Sequence, residues 1–128
     1  MLNIEQICFM HDVIIDISGG EHGMHDIGLL ESAINNIDQT FDGKELYPTV
    51  FDKTAQLFYS IVKNHAFKDG NKRTAIWILQ LYLNANDYKL YVTDKELTEL
   101  ALATAKSEYK ALDVKTWIVE HIKQKSPA

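Results

Sequence analysis

Residues 65–75 read HAFKDGNKRTA and concentrate ionisable and amide side chains in one short stretch. Segments with apolar residues at helical spacing lie on both sides of it: TVFDKTAQLFYSIVKN at 49–64 and AIWILQLYLN at 75–84. The sequence therefore predicts a polar turn between two helices that bury apolar faces. Such a composition between buried helices indicates a role beyond connecting them.

The turn has the features of an anion site. Gly70 allows the backbone to approach a ligand closely or to take a positive φ. Asn71 is predicted to open the next helix, where free N–H groups and the helix dipole attract phosphate. Lys72 and Arg73 then fall in the first helical turn, where a helix by itself prefers acidic side chains. Two adjacent cations there indicate that an external anion compensates their charge.

Two further side chains suit chemistry on a bound phosphate. Asp69 supplies a carboxylate suited to holding Mg²⁺ against phosphate oxygens. His65 is a base that works near neutral pH, and Phe67 is expected to point into the core and fix the loop. A capped, solvated connection between two helices explains the same composition equally well. The residue types alone therefore leave both interpretations open.

The order of these residues resembles the motif of the Fic/Doc family, H-x-F-x-[D/E]-[G/A]-N-[G/K]-R. The resemblance extends to GGEHGMHDIGLLESA at 19–33 and to ELYP at 45–48, in the order and spacing typical of the death-on-curing (Doc) branch. It covers residues 19–86. The named motif positions are occupied here by His65, Phe67, Asp69, Gly70, Asn71, Lys72 and Arg73.

The resemblance implies a small helical Fic core whose turn binds ATP with Mg²⁺. Typical Fic proteins carry glycine at the position of Lys72 and a second arginine at that of Ile76, and they transfer AMP to a target hydroxyl. Both departures point to a Doc-like toxin of a toxin–antitoxin pair, which transfers the γ-phosphate of ATP to a Ser or Thr hydroxyl of a protein. Gly70 is the choice typical of AMP transferases, so protein adenylylation is the alternative. A non-catalytic Fic-fold binding module is a third hypothesis.

Position by position, the resemblance gives each motif residue a role. His65 would deprotonate the target hydroxyl, and Asp69 would hold Mg²⁺. Lys63, just before the motif, is a further candidate for phosphate contact. The phosphates would be bound by the helix N-terminus together with Gly70, Asn71, Lys72 and Arg73.

The segment DQTFDGKELYP at 38–48 lacks helical periodicity, and Asp42-Gly43 within it is a hairpin signal. On sequence alone the segment is either a surface connection or a flap whose backbone edge holds an extended peptide by strand addition. Its position in the family favours a flap that aligns the target segment. The residues assigned to the flap are Thr40, Phe41, Asp42, Gly43, Lys44, Glu45, Leu46 and Tyr47.

The resemblance also implies a regulator and a target. The inhibitory motif of autoinhibited Fic proteins, [S/T]-x-x-x-[E/D]-G, does not occur in the chain. Inhibition is therefore expected in trans, by a cognate antitoxin whose helix plugs the site. In the Doc branch the expected target belongs to the translation machinery, with elongation factor Tu as the leading candidate.

Composition places the chain among ordinary soluble proteins. Its 128 residues predict a single domain over 1–128, with 46% hydrophobic and 24% charged residues. A net charge of −5 argues against direct, sequence-independent binding of nucleic acid. No signal-peptide pattern is found, and no apolar run approaches the roughly 20 residues that a membrane span needs. The expected location is the cytoplasm, with no membrane association.

Other potential ligands and nucleophiles lie outside the motif. Cys8 is the single cysteine, which excludes an internal disulfide, and it is expected to be a small buried filler. His11 and Asp12 are interpreted as surface or locally satisfied residues of the first helix. His22 and His25 lack two further ligands at metal-binding spacing, so no structural metal is expected.

The predicted fold is all-α, a compact bundle of about six helices around the fourth, with strand signals almost absent. The fourth helix is apolar almost all round and is expected to be the buried centre. A short extended connection is expected at 88–92, and the tail KQKSPA is expected to fray. The predicted helices run from Asn3 to Ile17, Ile27 to Ile37, Thr49 towards His65, Asn71 to Asn84, Asp94 to Tyr109 and Val114 to Gln124.

Overall fold

A computed structural model describes residues 2–124 and confirms the all-α class over that range. Four short strands accompany the helices: β1 Thr40–Phe41, β2 Lys44–Glu45, β3 Tyr88–Leu90 and β4 Ile122–Gln124. The helices are α1 Ile4–Ser18, α2 Ile27–Asn36, α3 Val50–Asn64, α4 Asn71–Ala85, α5 Asp94–Ala105 and α6 Ala111–His121.

Local capping fixes where most of these helices begin. The side chains of Asn3 and Thr49 each accept a hydrogen bond from the backbone N–H three residues on, and the side chain at that third position accepts one from the backbone N–H of the cap residue. Thr93 and Glu96 form the same reciprocal pair at the start of α5. Asp26 caps α2 by accepting from the N–H of Gly28, 2.8 Å away. Each such cap stabilises its helix by about 1 kcal/mol, and all four starts match the sequence prediction.

The core lies where α3 and α4 pack against each other. α3 also contacts α2, α5 and α6, whereas α4 also contacts α1, α5 and β3. The inward residues of α4 are fully buried, among them Ile78 and Leu83. Its outward side is not covered: Trp77 is 55% exposed and Leu81 36% exposed. The helix is central as predicted, but its apolarity all round does not mean burial all round.

The flap segment forms a hairpin, as Asp42-Gly43 indicated. Thr40 pairs with Glu45 and Phe41 with Lys44 in antiparallel register. Asp42 has φ 54° and Gly43 has φ 78°, the pair of positive values that a tight two-residue hairpin turn requires.

A second ribbon joins β3 to β4, with Leu90 opposite Ile122 and Tyr88 opposite Gln124. The prediction that the tail frays from Lys123 onwards is therefore wrong for Lys123 and Gln124. Pairing with a strand more than thirty residues away, over so few positions, leaves no periodic signal in the sequence. Residues 125–128 of the predicted tail lie outside the described residues.

The last two helices are shorter or shifted relative to the prediction. α5 ends at Ala105 instead of Tyr109, and Ser107 takes a left-handed φ of 63° in the connection. α6 begins at Ala111, because the Asp113 carboxylate accepts from the N–H of Lys110 and so lies inside the first turn. The helix therefore begins before the predicted start at Val114, and Asp113 acts from its third position.

Candidate active site at the start of α4

The loop 65–70 joins α3 to α4 and carries the motif residues. His65 ends α3 in the left-handed conformation, with φ 52° and ψ 48°. This conformation is costly for a non-glycine residue, by about 1–2 kcal/mol, and it directs the chain away from the α3 axis. The His65 side chain is exposed, and no described residue gives it a hydrogen bond or ion pair. It is therefore free to meet a substrate.

Phe67 and Asn71 hold the loop from inside. Phe67 is 1% exposed, which confirms its predicted place in the core. The Asn71 amide donates to the Phe67 carbonyl at 2.9 Å, and its oxygen accepts from the Phe67 N–H at 3.0 Å. Because this side chain is buried and fully engaged, what Asn71 offers a ligand is its backbone N–H.

The N-terminus of α4 is left open. Gly70 occupies the cap position with φ 76°, and no side chain among the described residues caps the helix there. The first N–H groups of α4 therefore point out without an intramolecular acceptor, an arrangement that attracts anions. Glycine is favoured at this position because its positive φ is strained for other residues, and a Cβ would require the Ile15 Cδ1 methyl, 2.9 Å away, to shift.

Asp69 lies beside this open end with an ionised, half-exposed carboxylate. Its two oxygens accept from the backbone N–H of Glu21 at 3.1 Å and of Gly70 at 2.8 Å. These two donors, with a smaller contribution from the Arg73 charge, lower the pKa of Asp69. An ionised carboxylate with free lone pairs is of the kind that could hold Mg²⁺, which proteins bind through one or two carboxylates and substrate phosphates.

The two cations of the first turn differ in their surroundings. Arg73 donates to the Gly19 carbonyl at 2.7 Å and to the Ser18 hydroxyl, and it lies 3.5 Å from Asp69. Lys72 is exposed, with no partner among the described residues. Of the two cations, only Lys72 therefore remains available to an external anion, and the compensation itself stays a prediction. The charge of Arg73 is balanced within the protein, at the carbonyl end of α1.

Lys63 lies away from this end of α4. Its ammonium donates to the Ala105 carbonyl and the Ser107 hydroxyl, at the end of α5. The structure therefore gives Lys63 the role of a cation at a helix C-terminus. It does not bring Lys63 together with the other motif side chains, and its suggested phosphate contact loses its basis.

The glycine-rich loop before α2 supports the motif loop along its length. The Ala66 carbonyl accepts from the N–H of His25 at 2.8 Å, and the Gly23 carbonyl accepts from the N–H of Lys68 at 3.0 Å. A Cβ on Gly20 would lie 2.6 Å from the Asp69 carboxylate. This supporting role was not predicted from the sequence, although the glycines of the loop were the available signal for such a close approach.

His11 corrects another prediction. It was interpreted as a surface or locally satisfied residue, yet it is only 1% exposed. Its Nε2 lies 2.6 Å from the Asp69 carbonyl, and its ring stacks on Phe67 with 3.8 Å between ring centroids. Its position on the apolar face of α1 was the sequence signal for burial. Its hydrogen-bond partner could not be predicted, because it lies 58 residues away in the chain.

The exposed His22 contacts two aspartates of α1 on the protein surface. Its ring nitrogens contact Asp12 at 3.2 Å and Asp16 at 2.7 Å. The hydrogen bond with Asp12, followed by that with Asp16, raises the pKa of His22. Within residues 2–124, no group of three or more histidine, cysteine or acidic side chains is arranged to hold a metal ion.

The flap, residues 40–47, is exposed almost throughout and is tethered at its base. Lys53 on α3 donates to the Ile37 carbonyl at 2.8 Å, to Glu45 at 3.0 Å and to Asp38 at 3.2 Å. Because β1 and β2 pair only with each other among the described residues, each has an unpaired outer edge. Such an edge suits the strand addition proposed for the flap.

An apolar groove runs along α1 and α4 to Arg73. Its volume is about 400 Å³. Several of its large side chains are exposed, including Phe9 at 70%, Ile17 at 81% and Trp77 at 55%. The groove is lined by Phe9, Met10, Val13, Ile14, Ile17, Ser18, Arg73, Ile76, Trp77 and Leu81.

Among the helices described over residues 2–124, none has the length and apolarity needed to cross a bilayer.

Comparisons with known proteins agree with the motif. The sequence profile of the Fic/DOC family matches residues 1–83. Over 72 residues the chain is 42% identical to "Toxin Doc" of Mycolicibacterium smegmatis, a match that covers 56% of this chain and 55% of that protein. Over 110 residues it is 29% identical to "Protein kinase doc" of Escherichia phage P1, covering 86% of each chain. The chain thus spans about half the length of the mycobacterial relative and most of the phage protein.

Proposed function

Because this chain belongs to the Fic/Doc family, we propose that it is a Doc-type toxin that transfers the γ-phosphate of ATP to a Ser or Thr hydroxyl of a protein. The observation that carries the proposal is the N-terminus of α4 next to the ionised Asp69: among residues 2–124, no side chain caps this helix end and none pairs with Lys72 in its first turn. Open N–H groups, a free cation and a carboxylate are together what a metal-bound nucleotide requires.

Each side chain then has a definite task. His65 accepts the proton of the target hydroxyl as its oxygen bonds to the γ-phosphorus, and ADP leaves. Asp69 would hold Mg²⁺, which would supply neutralisation of phosphate charge. The N–H groups of α4 and the Lys72 ammonium bind phosphate oxygens. Arg73 keeps Asp69 and the end of α1 in place. Positioning and electrostatic stabilisation dominate phosphoryl transfer, so this division suits the reaction.

Transfer of phosphate is preferred over transfer of AMP because of Lys72 and Ile76. Lys72 adds a side-chain cation where close backbone approach would need glycine. Ile76, at the position of the second arginine of AMP transferases, lines the apolar groove and brings no charge. Gly70 is the feature that favours the alternative, protein adenylylation. Its φ of 76° and its contacts with α1 account for glycine without reference to the nucleotide.

The flap supports a protein as the acceptor. Its unpaired edges can add an extended target segment as a third strand. The family makes elongation factor Tu the first target to test.

The groove along α1 and α4 supports an antitoxin as the inhibitory partner. It is apolar, about 400 Å³ in volume, and ends at Arg73, so an amphipathic helix lying in it reaches the site. Trp77→Glu is expected to weaken antitoxin binding by at least tenfold in calorimetry. Leu112→Glu, which changes a 72% exposed residue of α6, is the control and is expected to leave binding unchanged.

The reaction is tested with purified protein, Mg²⁺ and a bacterial lysate incubated with γ-labelled or α-labelled ATP. A band labelled from the γ position alone supports the proposal, and its absence with His65→Ala assigns the label to this site. Purified elongation factor Tu is tested in parallel. Label from the α position would instead establish AMP transfer. ATP binding with no label from either position would favour the binding module.

Expression in a bacterial host tests the biological role. Growth arrest that His65→Ala relieves, and that co-expressed antitoxin suppresses, is the expected result for a toxin. Unimpaired growth with an active enzyme would contradict the toxin proposal and leave a regulatory transferase.

A further inference from the structure

His11 is a buried polar residue that the proposed reaction does not use. Its ring is 1% exposed, and its plane lies within 7° of the Phe67 ring at 3.8 Å. The edge of the ring is directed at the Asp69 carbonyl, 2.6 Å from Nε2. A carbonyl can only accept, so Nε2 carries the hydrogen and donates it. α1 thereby contacts the backbone of the very residue proposed to hold Mg²⁺.

The peptide bond between Asp69 and Gly70 is held from both sides. Its carbonyl accepts from His11, and its N–H donates to the Asp69 carboxylate at 2.8 Å. Gly70 tolerates a wide range of φ, so this peptide could otherwise rotate without a steric barrier from a side chain. Rotation would turn the N–H away from the carboxylate and release one of the two donors that orient it.

We infer that His11 is a positioning residue: its Nε2–H locks the Asp69–Gly70 peptide and so aims the Asp69 carboxylate for Mg²⁺. The role in Mg²⁺ binding rests on the proposed function, whereas the hydrogen bond from His11 to the Asp69 carbonyl concerns the free protein. Stacking on Phe67 sets the ring plane, and the buried position keeps water from competing for the carbonyl. Loss of an outer partner of this kind typically lowers metal affinity or activity by about 10–100-fold.

Two substitutions separate the hydrogen bond from the packing. His11→Phe keeps a ring against Phe67 and removes the donor. His11→Gln restores an amide N–H at a similar reach and is the conservative rescue. A merely structural His11 would make the two variants differ in melting temperature alone.

The first measurement uses the free protein and ¹⁵N NMR. The His11 ring is expected to be the Nε2–H tautomer in the wild type. In His11→Phe the Gly70 amide is expected to exchange with solvent at least tenfold faster, while the amide of Ile78 in α4 is unchanged. His11→Gln is expected to restore Gly70 protection. A ring protonated only on Nδ1, or unchanged Gly70 exchange in His11→Phe, would overturn the inference.

The second measurement is ATP binding by calorimetry, with Mg²⁺ and with EDTA. His11→Phe is expected to weaken Mg²⁺-dependent ATP binding by about 10–100-fold and to leave the EDTA value unchanged, and His11→Gln to recover most of the loss. Equal loss in both conditions would contradict a role through Asp69. If the wild type binds no ATP, the proposed function fails. The NMR result then still shows whether His11 holds the Asp69–Gly70 peptide in place. If His11→Phe does not fold, the inference is tested by the tautomer of the His11 ring in the wild type and by the Gly70 exchange rate in His11→Gln.

Discussion

The motif loop, residues 65–70, and the flap, residues 40–47, are both polar connections that carry a glycine at positive φ, yet the protein holds them very differently. The loop is fixed by the Asn71 side chain, by His11 and by the glycine-rich segment before α2. The flap is exposed and tied at its base by Lys53. The candidate site is thus preorganised, whereas the flap, which is proposed to meet a protein segment, keeps freedom to adapt.

The largest effect is expected from His65, which separates function from stability within the loop. His65→Asn removes the base, and asparagine tolerates the left-handed conformation. Transfer is expected to fall by about 10²–10⁴-fold with an unchanged denaturation midpoint. His25→Asn, a substitution of an exposed histidine in the neighbouring loop, is the matched control for the transfer assay. Retained activity in His65→Asn would remove the proposed base.

Asn71 should be the residue on which the rigidity of the loop depends most. Asn71→Ala leaves the buried N–H and carbonyl of Phe67 without partners, and each such loss costs about 1–3 kcal/mol. The free energy of unfolding from urea titration is expected to drop by about 2–4 kcal/mol. Asn35→Ala, at an exposed asparagine of α2, is expected to change it by less than about 0.5 kcal/mol. Similar values for both variants would mean that the loop is no more tightly held than a surface position.

The two glycines compare loop and flap directly. Gly70→Ala combines a strained φ with a Cβ 2.9 Å from Ile15, and it is expected to cost about 1–2 kcal/mol in the free energy of unfolding. A Cβ on Gly43 would meet nothing within 4 Å. Gly43→Ala is therefore expected to loosen the hairpin locally, with a smaller change in global stability and a raised KM for the protein target. Equal global costs would show that the flap is as rigid as the loop.

A smaller effect is expected from the charge of Asp69. Hydrogen bonds from Glu21 and Gly70 lower its pKa in the folded protein. Their contribution to stability is present above the ordinary carboxyl pKa of about 4 and is lost as pH falls through the lower, folded pKa. Melting temperatures of Asp69→Asn are expected to depend less on pH below about pH 4 than those of the wild type. Asp42→Asn in the flap serves as the control, and an identical pH dependence of Asp69→Asn and wild type would contradict the assignment.

Local chemistry made part of this molecule predictable. Asn3, Thr49 and Thr93 cap their helices through residues three positions away, so the starts of those helices could be read directly. Phe67 and the Asp42-Gly43 turn are also decided by near neighbours. The order of residues in the motif loop pointed to the site without any knowledge of distant contacts.

Contacts between distant segments account for what the sequence did not show. His11 and Asp69 are far apart in the chain, and nothing in the helical pattern of α1 distinguishes a partner in the motif from ordinary burial. The same holds for Arg73, whose guanidinium donates to the Gly19 carbonyl, and for β4, which pairs with β3. Periodicity reports a residue's own helix face, but it does not report which element covers that face.

The uncovered groove also bears on how the free protein behaves in solution. Exposed Phe9, Ile17 and Trp77 form a contiguous apolar surface, which is a self-association liability. Concentrated protein without a partner is expected to show light scattering that rises with concentration and with added sulfate, and Trp77→Glu is expected to reduce it. Unchanged light scattering in Trp77→Glu would mean that a different surface causes the self-association. Colloidal stability would thus limit how much unpartnered chain accumulates, independently of any control over its synthesis.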